Sequence, residues 1–151
     1  MGRLQDKVCI ITGAAGGQGQ VAVKLFAEQG ARIVATDLPG KEPDDINETM
    51  QNHPGQVHYV RGDVTVNADL DDIVKTAMDN FGRIDVLFNN HGVMVGSPLL
   101  ETTEEEIDHV LNINVRASFL LCQRVARHMV EQGDGGSIIL NSSVGGLVGF
   151  P

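Results

Sequence analysis

A buried strand that runs into a glycine-rich turn constrains the fold of this chain more than any other stretch. Residues 8–11 form an unbroken apolar run, which is typical of a parallel strand covered on both faces. Gly13, Gly17 and Gly19 follow, and the absence of a Cβ at these positions lets a ligand approach the backbone closely. A helix that begins near Gly17 would direct its free N–H groups at this turn. The stretch therefore predicts an anion site, and the simplest ligand is the diphosphate of a dinucleotide.

The residues after the turn favour a ligand-binding loop over a merely flexible one. Apolar residues at helical spacing continue to Gly30, a typical residue after a helix C-terminus, and a second apolar strand over 32–36 leads into Asp37. An acidic residue about 20 positions after the glycines is where a ribose diol is usually bound. The alternative for Asp37 is a turn residue, because a Leu-Pro-Gly sequence follows it. The order of strand, loop, helix, strand and acid favours the dinucleotide site.

Strands and helices continue to alternate along the rest of the chain. The apolar pattern predicts further strands over 57–60, 84–88 and 138–140, and helices over 44–50, 68–80 and 104–129. Alternation of this kind predicts a parallel sheet with helices on both faces. We therefore predict a Rossmann-type doubly wound α/β fold, with residues 1–151 forming a single dinucleotide-binding domain.

Capping signals and an apolar stripe define two of these helices. Asn67 is the expected N-cap of the helix over 68–80 and Gly82 its stop, and Thr103 forms a capping box with Glu106 at the start of the last helix. One face of that last helix is expected to be buried, and its members are Ile107, Val110, Leu111, Asn114, Ser118, Leu121, Cys122, Val125 and Met129.

Composition excludes several classes of partner. The chain has 151 residues, 42% of them hydrophobic, which is enough for one domain with a core. A net charge of -9 argues against a nucleic-acid partner, and no apolar run approaches the length of a membrane span. Cys9 and Cys122 are expected to be packed thiols, and neither has metal-ligand spacing to a histidine. We therefore expect a cytoplasmic protein with no metal, nucleic-acid or membrane partner.

Several motifs together resemble those of the short-chain dehydrogenase/reductase family, from about residue 7 to residue 151. The stretch 12–19 is similar to the family's TGxxxGxG fingerprint, and the Asn-Asn-His-Gly sequence at 89–92 resembles its NNAG motif. The resemblance implies the strand order 3-2-1-4-5, and it implies that Thr12 holds the glycine turn through hydrogen bonds. It also implies a cofactor site formed by Gly13, Gly17, Gln18, Gly19, Asp37, Leu38, Asp63, Val64, Asn89, Asn90 and Gly92.

Two further matches are implied to be catalytic. Asn114 resembles the family asparagine that distorts its helix and holds a water in a proton relay; a satisfied core amide is the alternative. Ser143 is similar to the family's catalytic serine, and its hydroxyl could donate to a carbonyl oxygen during hydride transfer. We expect Ser142 rather than Ser143 to cap the turn, although the sequence leaves the reverse assignment open.

The sequence departs from the family pattern at two points. His91 stands where the NNAG motif has alanine, and we favour a tolerated substitution over a role in proton relay. The YxxxK motif, whose tyrosine is the family's acid/base, is absent, and Tyr59, the only tyrosine, lies on the third strand. We therefore expect the chain to be the N-terminal cofactor-binding portion of a longer enzyme, inactive by itself and a homodimer or homotetramer when complete.

Charge predicts the cofactor. Asp37 can accept hydrogen bonds from a ribose diol but repels a 2′-phosphate, and no arginine or lysine stands at position 38, so we expect NAD(H). The resemblance implies hydride transfer between this cofactor and a small-molecule alcohol, ketone or aldehyde. A non-catalytic NAD-binding module is the first alternative. An S-adenosylmethionine methyltransferase is a weaker one, because Asn114 and Ser143 would have no role in it.

Overall fold

Five parallel strands form one sheet in the computed structural model, which describes residues 2–40 and 44–149. The strands are β1 (Val8–Thr12), β2 (Arg32–Asp37), β3 (Val57–Arg61), β4 (Val86–Asn89) and β5 (Ser137–Leu140). They lie in the order β3-β2-β1-β4-β5, and every neighbouring pair is parallel. The predicted doubly wound α/β fold and strand order are confirmed. The predicted domain limits include residues 1, 41–43, 150 and 151, which lie outside the described residues, so those limits stay a prediction.

Helices cover both faces of the sheet. They are α1 (Gly17–Glu28), α2 (Asp44–Asn52), α3 (Asn67–Phe81), α4 (Glu104–Leu111) and α5 (Ser118–Gln132). A π-helical segment, Asn112–Ala117, joins α4 directly to α5, and a 3₁₀ turn, Val144–Gly146, follows β5. None of the helices in this part of the chain is both long and apolar enough to cross a bilayer.

The sheet carries a separate core on each face because successive side chains of a strand point to opposite sides. Ile10 of β1 belongs to one core, with Leu70 of α3 and Leu121 of α5. Ile11 belongs to the other, with Val23 of α1. Strand β1 lies at the centre of the sheet and is buried on both faces, which explains its unbroken apolar run.

Both cysteines are free and packed, as predicted. Cys9 is fully buried and Cys122 half-buried. Burial and, to a smaller extent, the nearby Asp85 carboxylate raise the pKa of the Cys9 thiol to about 12. Burial also raises the pKa of the Cys122 thiol. Within the described residues, no three His, Cys, Asp or Glu side chains are grouped so that they could bind a metal ion.

The apolar stripe predicted for the last helix is only partly correct. Leu121 and Met129 of α5 are buried, whereas Ile107 is 47% exposed and Leu111 50% exposed. The two halves differ because α4 has no buried residue on any face, whereas α5 packs against α3 and β4. The π-helical segment between them also interrupts the 3.6-residue repeat, because a π turn contains more residues than an α turn.

The predicted helix ends are confirmed at two places and wrong at a third. Thr103 and Glu106 form a reciprocal capping box at the start of α4, and Gly82 ends α3 in the left-handed conformation with φ of 73°. The N-cap of α3, however, is Val66, and Asn67 is the first helical residue. The Asn67 side chain instead accepts a long hydrogen bond from Arg124 of α5, at 3.4 Å.

A buried carboxylate lies at the end of the sheet opposite to the glycine-rich turn. Asp85 is 6% exposed, and its Oδ2 accepts the Val8 backbone N–H at 2.9 Å and the Arg83 Nε–H at 3.0 Å. Its Oδ1 accepts from Arg83 Nη2 at 2.8 Å and from Lys7 Nζ at 3.2 Å, and Arg83 also donates to Asp134 at 2.7 Å. Burial by itself would raise the pKa of Asp85, but these donors outweigh it and hold the pKa below its ordinary value.

The side-chain amide of Gln132, the last residue of α5, pairs with the backbone N–H and C=O of Ile84 just before β4. A neighbouring strand would make the same two kinds of hydrogen bond. Gln132 Oε1 accepts the Ile84 N–H at 2.6 Å, and Gln132 Nε2 donates to the Ile84 carbonyl at 3.0 Å. Ile84 is fully buried, so these backbone groups depend on the side-chain amide for their hydrogen bonds.

We expect the Gln132→Ala variant to lose about 1.5 kcal/mol of free energy of unfolding, because it leaves a buried N–H and C=O without partners. Chemical denaturation measures this loss. Gln123→Ala is the matched control, since Gln123 is exposed on the same helix. Equal stability of the two variants would contradict the prediction.

Candidate functional site

A cavity of about 530 Å³ lies at the carboxyl ends of β1, β2, β3 and β4. Parallel sheets place ligands at this end, beside the point where the strand order reverses. Most of the residues predicted to contact the cofactor line this cavity: Gly13, Gly17, Gln18, Asp37, Leu38, Asp63, Val64, Asn90 and Gly92. Gly19 and Asn89 do not line it, and both have other roles.

The three glycines of the turn meet three different requirements. Gly13 has φ of +61°, and a Cβ there would lie 3.0 Å from the Asn90 carbonyl oxygen. A Cβ on Gly19 would overlap the Gly13 carbonyl oxygen, so Gly19 permits the close packing of α1 against the turn rather than ligand contact. A Cβ on Gly17 would meet nothing within 4 Å and would project into open space. Of the three, Gly17 has the open surface that a ligand needs.

The Asp37 carboxylate is attached to the glycine-rich turn itself. Its Oδ2 accepts the Ala15 N–H at 2.8 Å, and its Oδ1 accepts the Leu38 N–H at 2.8 Å. Each carboxylate oxygen can accept more than one hydrogen bond, so both retain acceptor capacity for a ligand. The contact with Ala15 lies 22 residues away in sequence, and the glycine pattern alone does not indicate it.

The loop after β3 is fixed by two residues that the motif comparison did not single out. Asp63 donates its backbone N–H to Asp69 Oδ2 at 2.7 Å. Asp63 Oδ1 accepts the Thr65 N–H at 2.8 Å and the Thr65 hydroxyl at 2.7 Å. These bonds hold Asp63 and Val64 at the wall of the cavity. The sequence signal was present as an Asp-x-Thr turn with an acid six residues after Asp63.

Thr12 ties the end of β1 to the end of β4. Its Oγ1 accepts the backbone N–H of Asn90 at 3.0 Å and of His91 at 3.2 Å, and it lies 3.2 Å from Asn89 Oδ1. Asn89 is 3% exposed and braces the two strands. Asn90 faces the cavity and donates from Nδ2 to the Gly13 carbonyl at 3.3 Å. Only the second asparagine of the predicted pair therefore has its side chain at the cavity.

His91 makes three side-chain contacts. Its Nδ1 lies 2.8 Å from Thr12 Oγ1, and its Nε2 lies 3.2 Å from both the Ile113 carbonyl oxygen and Ser118 Oγ. Burial lowers the pKa of His91 below its ordinary value, although the Ile113 carbonyl and the Asp37 charge act in the opposite direction. The ring thus has partners on three elements, and the tolerated substitution expected from sequence stays a prediction.

Asn114 lies in the π-helical segment, where the family resemblance implied a helix distortion. Its Oδ1 accepts the Val93 N–H at 2.9 Å and its Nδ2 donates to the Val93 carbonyl at 2.8 Å. Asn114 is exposed, so the core-amide alternative is wrong. The side chain fixes the loop after β4 against the π-helical segment.

A second cavity, also of about 530 Å³, adjoins the first and shares Asn90, His91, Gly92 and Val93 with it. Asn114, Ser142 and Ser143 line its wall. Ser143 Oγ accepts the Gly145 N–H at 3.1 Å, so Ser143 caps the 3₁₀ turn and the expected assignment to Ser142 is wrong. Because this bond uses a lone pair, the Ser143 O–H remains available as a donor.

A bridge of three amides separates the two cavities. Asn141 Nδ2 donates to Gln18 Oε1 at 2.9 Å and to Asn90 Oδ1 at 2.8 Å. It thereby joins the turn after β1, the end of β4 and the end of β5. The motif comparison placed Gln18 and Asn90 in the site but not Asn141, whose only signal is a polar residue at a strand's carboxyl end.

Comparison with known proteins gives a consistent result. A family model for short chain dehydrogenase matches residues 7–151. The 3-oxoacyl-[acyl-carrier-protein] reductase FabG of Thermotoga maritima is 38% identical over 99% of this chain, which covers 60% of that protein. Tropinone reductase-like 1 of Erythroxylum coca is 34% identical over 97% of this chain, covering 56% of that protein.

The fold comparison agrees. A crystal structure of a protein described as a short-chain dehydrogenase/reductase from Burkholderia xenovorans superposes with a TM-score of 0.90 at 33% identity. The match covers 98% of this chain and 60% of that one. The chain therefore spans somewhat more than half the length of the relatives it matches.

Proposed function

This chain belongs to the short-chain dehydrogenase family, and from that membership we propose that it binds NAD(H) for an oxidoreductase that interconverts an alcohol and a ketone or aldehyde. The observation that carries the proposal is the Asp37 carboxylate, which lies against the glycine-rich turn and lines the same cavity. A helix N-terminus for the diphosphate and a carboxylate for the adjoining ribose are thereby combined in one cavity.

The chemistry of the cavity fits a dinucleotide. Gly17, at the start of α1, has the open space that a diphosphate requires, and the α1 dipole favours an anion there. Asp37 retains acceptor capacity for the two ribose hydroxyls. Asp63 and Val64 line the far side of the cavity, where we assign them to the adenine.

Charge supports NAD(H) over NADP(H). A 2′-phosphate would lie beside the Asp37 carboxylate, and like charges at that distance repel. The described residues that line the cavity include no lysine or arginine that could neutralise the phosphate. We therefore propose that Asp37 both binds the ribose diol and rejects the phosphorylated cofactor.

The residues of the second cavity are assigned to the substrate side. When bound, NAD(H) supplies or accepts the hydride. Ser143 donates its hydroxyl hydrogen to the substrate oxygen and stabilises the negative charge that develops there. Asn114 keeps the loop after β4 in position beside this oxygen and, in the family scheme, holds a water in the proton relay. We do not assign the proton transfer to Tyr59, because it lies on β3, at the opposite edge of the sheet from β5 and Ser143.

The experiment that tests the proposal is calorimetric titration with NADH and NADPH. We expect NADH to bind more tightly, and we expect Asp37→Ala to weaken NADH binding about a hundredfold, since it removes two hydrogen bonds to a charged group at about 1.5 kcal/mol each. The same variant should narrow the preference for NADH over NADPH. Asp72→Ala, an exposed aspartate on α3, is the matched control. Tighter binding of NADPH by the unaltered chain would overturn the assignment.

A second candidate is an NAD(H)-binding module without turnover. The position of Tyr59 favours it for the 151 residues tested by themselves. An assay with NAD and a set of secondary alcohols separates the two candidates. Binding without turnover supports the module, and measurable turnover supports the enzyme.

A further inference from the structure

We infer that His91 is a positioning residue, which joins the strand end at Thr12 to the π-helical segment and thereby fixes the turn that carries Asn114. The inference concerns this chain's departure from the family motif, which has alanine at the same position. Its effect on NADH binding rests on the proposed function, but its structural part does not.

The hydrogen-bond partners of the His91 ring determine its protonation state. The Ile113 carbonyl oxygen can only accept a hydrogen bond, so His91 Nε2 must carry a hydrogen to bond it at 3.2 Å. Thr12 Oγ1 already accepts two backbone N–H groups, and its two lone pairs are therefore used. Its single hydrogen has two acceptors within reach, His91 Nδ1 at 2.8 Å and Asn89 Oδ1 at 3.2 Å, and we assign it to the shorter contact with His91. The partners on both sides thus select the neutral ring with its hydrogen on Nε2.

The hydrogen on Nε2 excludes a role for His91 as a base toward Ser118. Ser118 Oγ lies 3.2 Å from His91 Nε2, a distance at which a histidine could activate a serine nucleophile. A ring nitrogen that carries a hydrogen cannot accept the serine proton. The Ile113 carbonyl therefore leaves Ser118 as an acceptor beside the ring, and the pair does not form a hydrolytic site.

The His91 ring is bound to the π-helical segment directly beside Asn114. Ile113 and Asn114 are adjacent in the π-helical segment, and they bind His91 and Val93 respectively. The loop after β4 is thus joined to the wider turn by three hydrogen bonds within three residues. Without such contacts the π-helical segment would relax toward regular α-helical geometry, because the backbone alone rarely favours a π turn.

His91 also forms part of the cavity walls. His91 lines both cavities, and the ring is bonded to Thr12, whose neighbour Gly13 begins the glycine-rich turn. Asp37 is the charged group that acts on the ring, and it lies on the far side of that turn. A displaced ring would loosen the wall of the first cavity together with the π-helical segment.

The test measures amide hydrogen exchange and imidazole ¹⁵N NMR on the full chain without cofactor. We expect His91 to show hydrogen on Nε2 alone at neutral pH. In His91→Ala, the amides of residues 113–118 should exchange at least about tenfold faster, while those of α1 and α3 stay unchanged. His91→Gln should restore most of the protection because its amide nitrogen reaches the position of Nε2, whereas His91→Asn, which is shorter, should not. His109→Ala, an exposed histidine on α4, is the control.

A hydrogen on Nδ1 in the NMR spectrum would overturn the inference, as would unchanged exchange in His91→Ala. Equal exchange in the Gln and Ala variants would also overturn it, because the assigned donor would then be irrelevant. NADH is added only in a second series, in which His91→Ala should bind about fivefold more weakly than the unaltered chain. Failure of the unaltered chain to bind NADH would contradict the proposed function. The positioning role of His91 would then be judged from the hydrogen-exchange result alone.

Discussion

An Asp85→Ala variant is expected to lose about 2 kcal/mol of free energy of unfolding, because it removes a buried carboxylate that accepts hydrogen bonds from the backbone and from two partly exposed cations. The Val8 N–H loses its acceptor inside the sheet, and Arg83 and Lys7 lose the carboxylate between them. Denaturation by urea at neutral pH measures the loss as a lower midpoint with an unchanged slope.

The same carboxylate predicts a pH dependence. Its pKa is lower in the folded chain than in the unfolded chain, so its contribution to stability is present above the unfolded pKa and is lost as the pH falls through the folded pKa. The unaltered protein should therefore lose its advantage over Asp85→Ala in acid. Asp134→Ala is the control, since Asp134 is an exposed partner of the same arginine and its loss should destabilise the chain much less than Asp85→Ala. An advantage that persists unchanged below the folded pKa would contradict the explanation.

Substitutions in the glycine-rich turn should separate folding from binding. Gly19→Ala places a methyl group on the Gly13 carbonyl oxygen, and we expect a loss of about 2 kcal/mol in the free energy of unfolding. Gly17→Ala meets nothing within 4 Å, and its stability should stay within about 0.5 kcal/mol of the unaltered chain. Its NADH affinity should nevertheless fall about a hundredfold, because the methyl group occupies the space assigned to the diphosphate.

Thermal unfolding with and without NADH measures both effects in one experiment, since a ligand that binds the folded state raises the melting temperature. Gly96→Ala is the control: Gly96 also has open space around it but lies in the loop after β4, outside the cavity. Normal NADH affinity in Gly17→Ala would contradict the assignment of the diphosphate to the start of α1.

Local sequence patterns predicted the fold because each of these features is determined by residues that are close together in the sequence. The buried run of β1, the turn at Gly13 and the capping box at Thr103 are all decided within a few residues. Alternation of strands and helices then restricts the topology to a parallel sheet, since connections between parallel strands are right-handed and must cross over. The strand order itself came from the family resemblance.

Contacts across the sheet could not be predicted in the same way. His91 binds Thr12, 79 residues earlier, and Ile113, 22 residues later, and no periodic pattern relates these positions. Asn141 reaches Gln18 across 123 residues. The residues that line the cavity were foreseen from motifs, whereas the bonds that hold them in place depend on the folded geometry.

The last helix contains the largest error in the sequence prediction. The stripe was expected to be buried along its whole length, but α4 has no buried residue and only the α5 part packs against α3 and the sheet. The π-helical segment interrupts the helical repeat between the two parts. The polar Asn114 inside the predicted stripe was the available signal. The role of Asn114 depends on its hydrogen bonds to the Val93 backbone, which a hydrophobic pattern cannot indicate.

Strand β1 links two ends of the molecule that can change independently. Val8 is bound to the Asp85 carboxylate and Thr12 to the loop after β4, and the two residues are roughly 13 Å apart along an extended strand. Substitutions separated by that distance usually have additive effects. Stabilising the Asp85 end of the sheet should therefore offset the stability lost through new side chains at the cavity end. The ligand preference could then be redesigned without lowering the melting temperature of the chain.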